Sequence, residues 1–86
     1  MHELSIAVSL VEAICDELPK LDDVHVHAVR VRVGELSGGV PDALSFAFSV
    51  ASDESPIAGA SLRVERTEGR ELELVALEVV DAAANS

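Results

Sequence analysis

Between positions 4 and 18 the apolar residues recur every three or four positions, which is the spacing of one face of an α-helix. The acidic residues of this segment lie off the apolar stripe, and Pro19 follows at the point where a proline ends a helix. The pattern predicts an amphipathic helix that packs one face inward. The residues assigned to that inward face are Leu4, Ala7, Val8, Val11, Ile14, Cys15 and Leu18.

The segment VHVHAVRVRVGEL, at positions 24–36, is rich in β-branched residues and alternates between apolar and polar residues, which predicts a β-strand. The valines after Ala28 share one face of this strand, whereas Val24 and Val26 have the opposite parity. A shift of one residue moves a strand side chain to the other face of the sheet. We therefore expect either a β-bulge near Ala28 or strand pairing that begins only there.

The segment SGGVPDALSFAFSVA, at positions 37–51, predicts a turn followed by a second helix. Gly38 and Gly39 supply the turn, Pro41 suits the first helical position, and Asp42 suits the positive end of the helix dipole. We expect this helix to pack through an apolar stripe that two further residues widen. The stripe consists of Leu44, Ala47, Phe48 and Ala51, and the two residues that widen it are Phe46 and Val50.

Two further segments, ASLRVER at positions 60–66 and RELELVALEVV at positions 70–80, have the composition of strands. The short Glu68-Gly69 turn between them predicts a β-hairpin. The apolar parity of the second segment changes midway, which predicts a β-bulge near Val75. The element order α-β-α-β-β predicts an α+β fold, a two-layer sandwich with two helices on one face of a three-stranded sheet.

The length of 86 residues allows one domain with a single modest core. We expect this domain to occupy residues 1–81 and residues 82–86 to form a flexible tail. The net charge is −10, from 16 acidic and six basic residues, which disfavours binding to nucleic acid or anionic membranes. The acidic surface is compatible with the attraction of cations and equally with solubility alone.

The chain lacks the motifs that would point to catalysis or to export. It has no G-x-S-x-G sequence and no phosphate-binding glycine loop, so we expect that it is not an enzyme. The lone Cys15 lies on an apolar stripe, where a small buried hydrophobe is expected, and the absence of any CxxC pair excludes a cysteine-pair zinc site. No apolar run reaches the roughly 18 residues of a membrane helix, and the N-terminus lacks a basic signal region, so we expect a cytoplasmic location.

The first residues, MHELSIA, place nitrogen donors close together. Met1 is expected to be retained before the large residue His2, so the α-amine, the amides of His2 and Glu3, and the imidazole of His2 can converge on one metal ion. Four nitrogens in a plane suit Ni(II) or Cu(II) better than tetrahedral Zn(II). The alternative is a frayed terminus that binds no metal. Because the nitrogens must be unprotonated, affinity should fall as the pH drops through the titration range of His2.

A second pair of imidazoles occurs at the start of the predicted strand. His25 and His27 share a face at i,i+2 spacing and could form a weak second metal site. The alternative interpretation is two exposed histidines at a strand end.

Four stretches together resemble a known family: MHELSIAVSLVE, VRVRVGELSGGVPDALSFAF, GASLRVE and GRELELVALEV. They are similar, in order, to the nickel-binding domain of the HypA/HybF hydrogenase nickel-incorporation proteins. The resemblance implies a metallochaperone for [NiFe]-hydrogenase maturation and, in some organisms, for urease. It implies that His2 binds Ni(II) with the N-terminal amine of Met1 and backbone amides, and that Glu3 is tied to this site or to partner contacts. The implied partners are a HypB-type GTPase and the hydrogenase large subunit.

The chain departs from the family pattern at one place. Family members carry a zinc ribbon with two CxxC pairs between the last two strands, where this chain has only a short turn near residues 67–70. We therefore expect no zinc binding. Both a natural relative without the ribbon and a shortened chain remain open, and so does a protein-interaction or regulatory module that does not deliver metal. The exposed edge of the last strand could support a homodimer.

Overall fold

The computed structural model describes residues 3–21, 23–35 and 41–81. The element order α-β-α-β-β confirms the predicted α+β fold with two helices and a three-stranded sheet. A single 3-10 turn over Leu18–Lys20, which contains Pro19, ends the first helix. The elements are α1 (Glu3–Glu17), β1 (Val24–Gly34), α2 (Pro41–Ser52), β2 (Ser61–Thr67) and β3 (Leu72–Asp81).

The helices begin where the sequence indicates. Pro41 is the first residue of α2 and Asp42 lies in its first turn, as predicted from their preference for the positive end of a helix. The predicted turn at Gly38 and Gly39 and the predicted tail at residues 82–86 lie outside the described residues. None of the helices in the described ranges is long and apolar enough to cross a membrane.

The sheet is mixed, with the strand order β2-β1-β3. Strand β1 pairs in parallel with β2 and antiparallel with β3, so the predicted β2–β3 hairpin is wrong. The reason lies in the connection through α2. A helix between two strands returns the chain in the same direction beside the first strand, which places β2 against β1. The other edge of β1 stays free, and β3 pairs there instead of with β2.

The connection between β2 and β3 therefore crosses the end of β1. The backbone N–H of Gly34 donates a hydrogen bond of 2.7 Å to the carbonyl oxygen of Glu71, and a β-carbon at position 34 would overlap the carbonyl group of Gly69. Two strands on either side of a third lie about 10 Å apart. Five Cα steps from Thr67 to Leu72 reach at most about 17 Å, so this short segment is long enough to cross.

Both predicted bulges are present in the β1–β3 pairing. The register shifts between Val26 and Ala28, and again where Arg30 faces Ala76 and Val31 faces Leu74, so that Val75 has no partner on β1. The first shift lets Val26 and the later valines of β1 all face the core despite their opposite parity.

The core lies between the helices and one face of the sheet. It includes the buried valines of β1, Phe48 and Leu44 of α2, and Ile57 in the loop before β2. Cys15 is half-buried and packs against this core, as expected for a small hydrophobe. On α1 the buried residues are Ile6, Ala7, Leu10, Val11 and Ile14.

Four residues that the apolar stripes assigned to the inward faces are exposed instead. Leu4 is 47% and Val8 40% exposed on α1, while Phe46 is 72% and Val50 54% exposed on α2. The apolar sector of each helix is wider than the face that its neighbours can cover. On α1, Ile6 and Leu10 are buried in the core, and the far edge of the stripe is left in solvent.

Candidate metal centre at the start of the first helix

Glu3 is the only predicted nickel-site residue within the described ranges. It is the first residue of α1, its side chain is half-buried, and it lines a shallow apolar groove together with Leu4 and Ala43. Met1 and His2 lie outside the described residues.

The start of α1 lies at the same end of the molecule as three other features. Because a short connection joins α1 to β1, the two elements run in opposite directions, and β1 ends at the level where α1 begins. The groove shared by Glu3 and Ala43 places the first turn of α2 there as well. The β2–β3 connection also lies at this end, because Gly69 and Glu71 pack against Gly34 at the end of β1.

Two carboxylates stand at the positive ends of the helices at this end of the molecule. Glu3 lies in the first turn of α1 and Asp42 in the first turn of α2. A helix N-terminus disfavours a cation, and a nearby carboxylate offsets that effect. Within the described ranges no group of three or more His, Cys, Asp or Glu side chains could hold a metal ion.

The second predicted pair, His25 and His27, lies at the opposite end of β1, on the sheet face that the helices leave open. Both side chains are exposed. The Nε2 atom of His27 lies 3.8 Å from Oε1 of Glu78. Arg63 Nη1 already donates to both oxygens of that carboxylate, at 2.9 and 3.0 Å. Glu78 could become a third metal ligand only at the expense of this ion pair.

The Arg63–Glu78 pair spans the sheet from one edge to the other. Arg63 lies on β2 opposite Arg30, Glu78 lies on β3 opposite Ala28, and the two side chains meet across the central strand. Sequence reasoning missed this contact because it depends on the strand order, which local patterns do not encode. The exposed groove beside Glu3 was missed for a related reason, since periodicity alone does not tell which part of a wide apolar stripe is covered.

The chain matches known proteins over most of its length. A sequence model of the family described as "Hydrogenase/urease nickel incorporation, metallochaperone, hypA" matches residues 1–79. A hydrogenase maturation factor HypA of Solidesulfovibrio magneticus is 51% identical over 67 residues, which are 78% of this chain and 57% of the relative. The HypA of Deinococcus radiodurans is 42% identical over 69 residues, which are 80% of this chain and 58% of the relative.

A third relative, the hydrogenase maturation factor HypA of Streptomyces avermitilis, is 41% identical over 71 residues, which are 81% of this chain and 54% of the relative. The chain thus spans a little over half the length of these curated relatives. The matched family model begins at residue 1 and includes both helices and nearly all of the sheet. The chain therefore belongs to the HypA family of nickel-incorporation metallochaperones.

Proposed function

We propose that this chain is a non-catalytic accessory protein that binds Ni(II) through the amine of Met1, the ring of His2 and the backbone amides of His2 and Glu3. Its expected role is to supply nickel during the maturation of [NiFe]-hydrogenase, or of urease. The observation that carries this proposal is the family match, which starts at residue 1 and so includes the MHE sequence.

The chemistry of the donors supports nickel over zinc. An amine, two amides and an imidazole supply four nitrogens through small chelate rings, and a planar nitrogen set suits Ni(II). Ionised amides would also cancel the charge of the metal, which removes most of the unfavourable interaction with the helix dipole. The resemblance to the family adds that Glu3 contributes to the site or to partner contacts.

The start of α1 makes the amide of Glu3 available. The first four N–H groups of an α-helix have no acceptor within the helix. Glu3 is the first helical residue, so a metal that takes its amide nitrogen breaks no hydrogen bond of α1. We therefore expect nickel binding to perturb the first turn and to leave the sheet unchanged.

The proposed partners are a HypB-type GTPase and the hydrogenase large subunit. A second candidate function is a protein-interaction module that does not deliver metal. The apolar groove beside Glu3 favours that alternative, because an exposed Phe46 contributes nothing to a nitrogen ligand set. The two candidate functions can be distinguished by testing whether partner binding depends on His2.

Nickel titration by calorimetry of untagged protein tests the proposal. We expect one Ni(II) per chain, loss of binding in His2→Ala, and retention in the control His25→Ala/His27→Ala. A single Gly placed before Met1 should also remove binding, because it displaces the α-amine. Equally weak binding by the unmodified protein and His2→Ala would exclude a nickel role for the terminus. Capture of the GTPase by both proteins alike would then support the interaction module.

A further inference from the structure

The exposed apolar residues of the two helices are continuous. Leu4 and Val8 lie one turn apart on α1, and Phe46 and Val50 lie one turn apart on α2. The groove between the two helices is lined by Glu3, Leu4, Ala43, Phe46, Ala47 and Val50. We call this surface the interhelical groove. From Ala43 to Val50 the groove follows α2 for about 10 Å, which corresponds to two turns of a helix.

The exposure of Phe46 is unusual for a side chain of its size. At 72% exposed it is the most accessible large hydrophobic residue in the described part of the chain, and Val50 beside it is 54% exposed. Single exposed apolar residues are common on soluble proteins, whereas contiguous ones with a polar rim mark interaction sites. The paired i,i+4 spacing on neighbouring helices is suited to a third helix, whose ridge can pack into the groove.

The charges around the interhelical groove have one sign. Positions 3–17 carry four acidic residues and positions 41–60 carry three, and neither range contains Lys, Arg or His. Three of these acids stand next to the apolar stripe: Glu3 lines the groove, Glu12 lies one turn beyond Val8, and Asp42 lies one turn before Phe46. The helical layer is therefore an apolar strip with an acidic rim.

The basic residues of the molecule lie elsewhere. Five of the six are arginines at positions 30, 32, 63, 66 and 70, in β1, in β2 and in the connection after β2, and the sixth is Lys20. A second copy of this chain would bring its own Glu3, Glu12 and Asp42 against the same surface if two helical layers met face to face. Like charges across an interface oppose such an association, whereas a basic partner is attracted.

We propose that the interhelical groove is a docking site for a basic amphipathic helix of a partner protein, which places apolar side chains on Leu4, Phe46 and Val50 and Lys or Arg residues against the acidic rim. This inference goes beyond nickel binding and does not require it. Because Glu3 lines the groove, the docked helix lies beside the first turn of α1, and a partner held there is close to a metal that takes the amide of Glu3.

A synthetic helix tests the proposal directly. The probe is a fluorescent, end-capped peptide of about 18 residues with leucines at i, i+3, i+4 and i+7 and lysines on the flanks. One comparison peptide has glutamates in place of the lysines, and another has the same composition with the leucines scrambled. Anisotropy titrations use the full chain without nickel. We expect binding of the lysine peptide alone, weakened by added salt.

Variants of the protein locate the bound peptide. Phe46→Ala/Val50→Ala removes exposed apolar surface and keeps good helix formers, so the fold should be retained. We expect peptide affinity to drop at least tenfold, since buried aromatic side chains dominate such interfaces. The control is Leu21→Ala/Val80→Ala, which removes two apolar side chains outside the groove that are 41% and 40% exposed, and it should leave affinity unchanged.

The charge contribution has its own pair of variants. Glu12→Gln/Asp42→Asn should weaken binding and flatten its salt dependence, whereas Glu68→Gln/Glu73→Gln, which lie in the β2–β3 connection and in β3 and do not belong to the acidic rim, should have little effect. Equal binding of the lysine, glutamate and scrambled peptides would overturn the proposal, and so would equal affinity of the groove and control variants. Self-association of the unmodified protein that Phe46→Ala/Val50→Ala abolishes would also overturn it, in favour of a homodimer.

Discussion

At the scale of single residues, Gly34 is a position where the fold leaves no room for a side chain. The β2–β3 connection passes directly over it, so an added methyl group meets the backbone of Gly69, which cannot swing away. We expect Gly34→Ala to lower the free energy of unfolding by about 1–3 kcal/mol, measured by urea denaturation. Gly69→Ala is the control, because its β-carbon meets only the flexible side chain of Glu71. Equal losses in the two variants would contradict this explanation.

The proposed nickel site has a pH dependence whose sign follows from its donors. Ni(II) competes with protons for the imidazole of His2 and the α-amine of Met1. In unperturbed peptides the pKa values of these groups are about 6.5 and about 8. Affinity should therefore rise from pH 6 to pH 8, by up to about tenfold per pH unit for each proton displaced. Calorimetric titrations at three pH values measure it. An affinity independent of pH would indicate a site without these groups.

The residues of the candidate site differ in how well their roles can be predicted from the sequence. The MHE terminus is a local feature, and its donor spacing and its resemblance to the family can both be read directly. The apolar pattern of α2 predicts an inward position for Phe46, because that helix has apolar residues over more than half of its circumference. Only packing shows which of them the sheet and α1 cover, so the docking surface could not be predicted from periodicity.

At the scale of elements, local patterns identify helices, strands and irregularities within strands. The parity changes near Ala28 and Val75 predicted bulges that the β1–β3 register confirms, because each bulge is recorded in the order of apolar residues along one strand. The strand order is a different kind of information. A short turn between β2 and β3 suits a hairpin and also suits a crossing over β1, so pairing could not be deduced from it.

The bulge in β3 makes a specific prediction about deletions. Removing Val75 would leave Leu72, Leu74 and Leu77 in regular alternation opposite β1, with every apolar side chain on its present face. We expect this deletion to lower the free energy of unfolding by less than about 1 kcal/mol, which is the range of most substitutions at the surface. Deleting Glu73 instead would move the half-buried Leu72 off the core face and should cost about 1–2 kcal/mol, part of the value of fully burying a leucine.

Urea denaturation of the two deletion variants provides the measurement. Retention of the helical and sheet signal in circular dichroism should accompany the Val75 deletion. If the Val75 deletion were as damaging as the Glu73 deletion, the extra residue would have a role beyond the register, for example in the twist of β3.

At the scale of the whole molecule, charge and connectivity are both distributed unevenly. The helical layer has only acids, while the arginines concentrate in the sheet and in the connection after β2. The net charge of −10 does not reveal this separation of acidic and basic residues, which becomes apparent only when the residues are placed on the fold. Connectivity is uneven too, because the start of α1, the start of α2 and the β2–β3 connection share one end.

The position of this connection predicts where the chain accepts extra residues. A flexible insertion of about six Gly and Ser residues between Glu68 and Gly69 should cost about 1 kcal/mol, since loop entropy grows slowly with length. The same insertion between Val29 and Arg30 interrupts the central strand, which pairs on both sides, and should prevent folding. Circular dichroism and urea denaturation distinguish the two outcomes. Similar losses at both positions would show that the crossing needs its present length.

The placement of β2 and β3 on either side of β1 also governs how any larger insert would be mounted. Its two attachment points would lie on either side of the central strand, about 10 Å apart, whereas the ends of two adjacent strands in a hairpin would lie closer together. A domain attached through two separated connections has less rotational freedom than one attached through a single flexible linker. It would hold a steady orientation toward the end of the molecule where α1 begins.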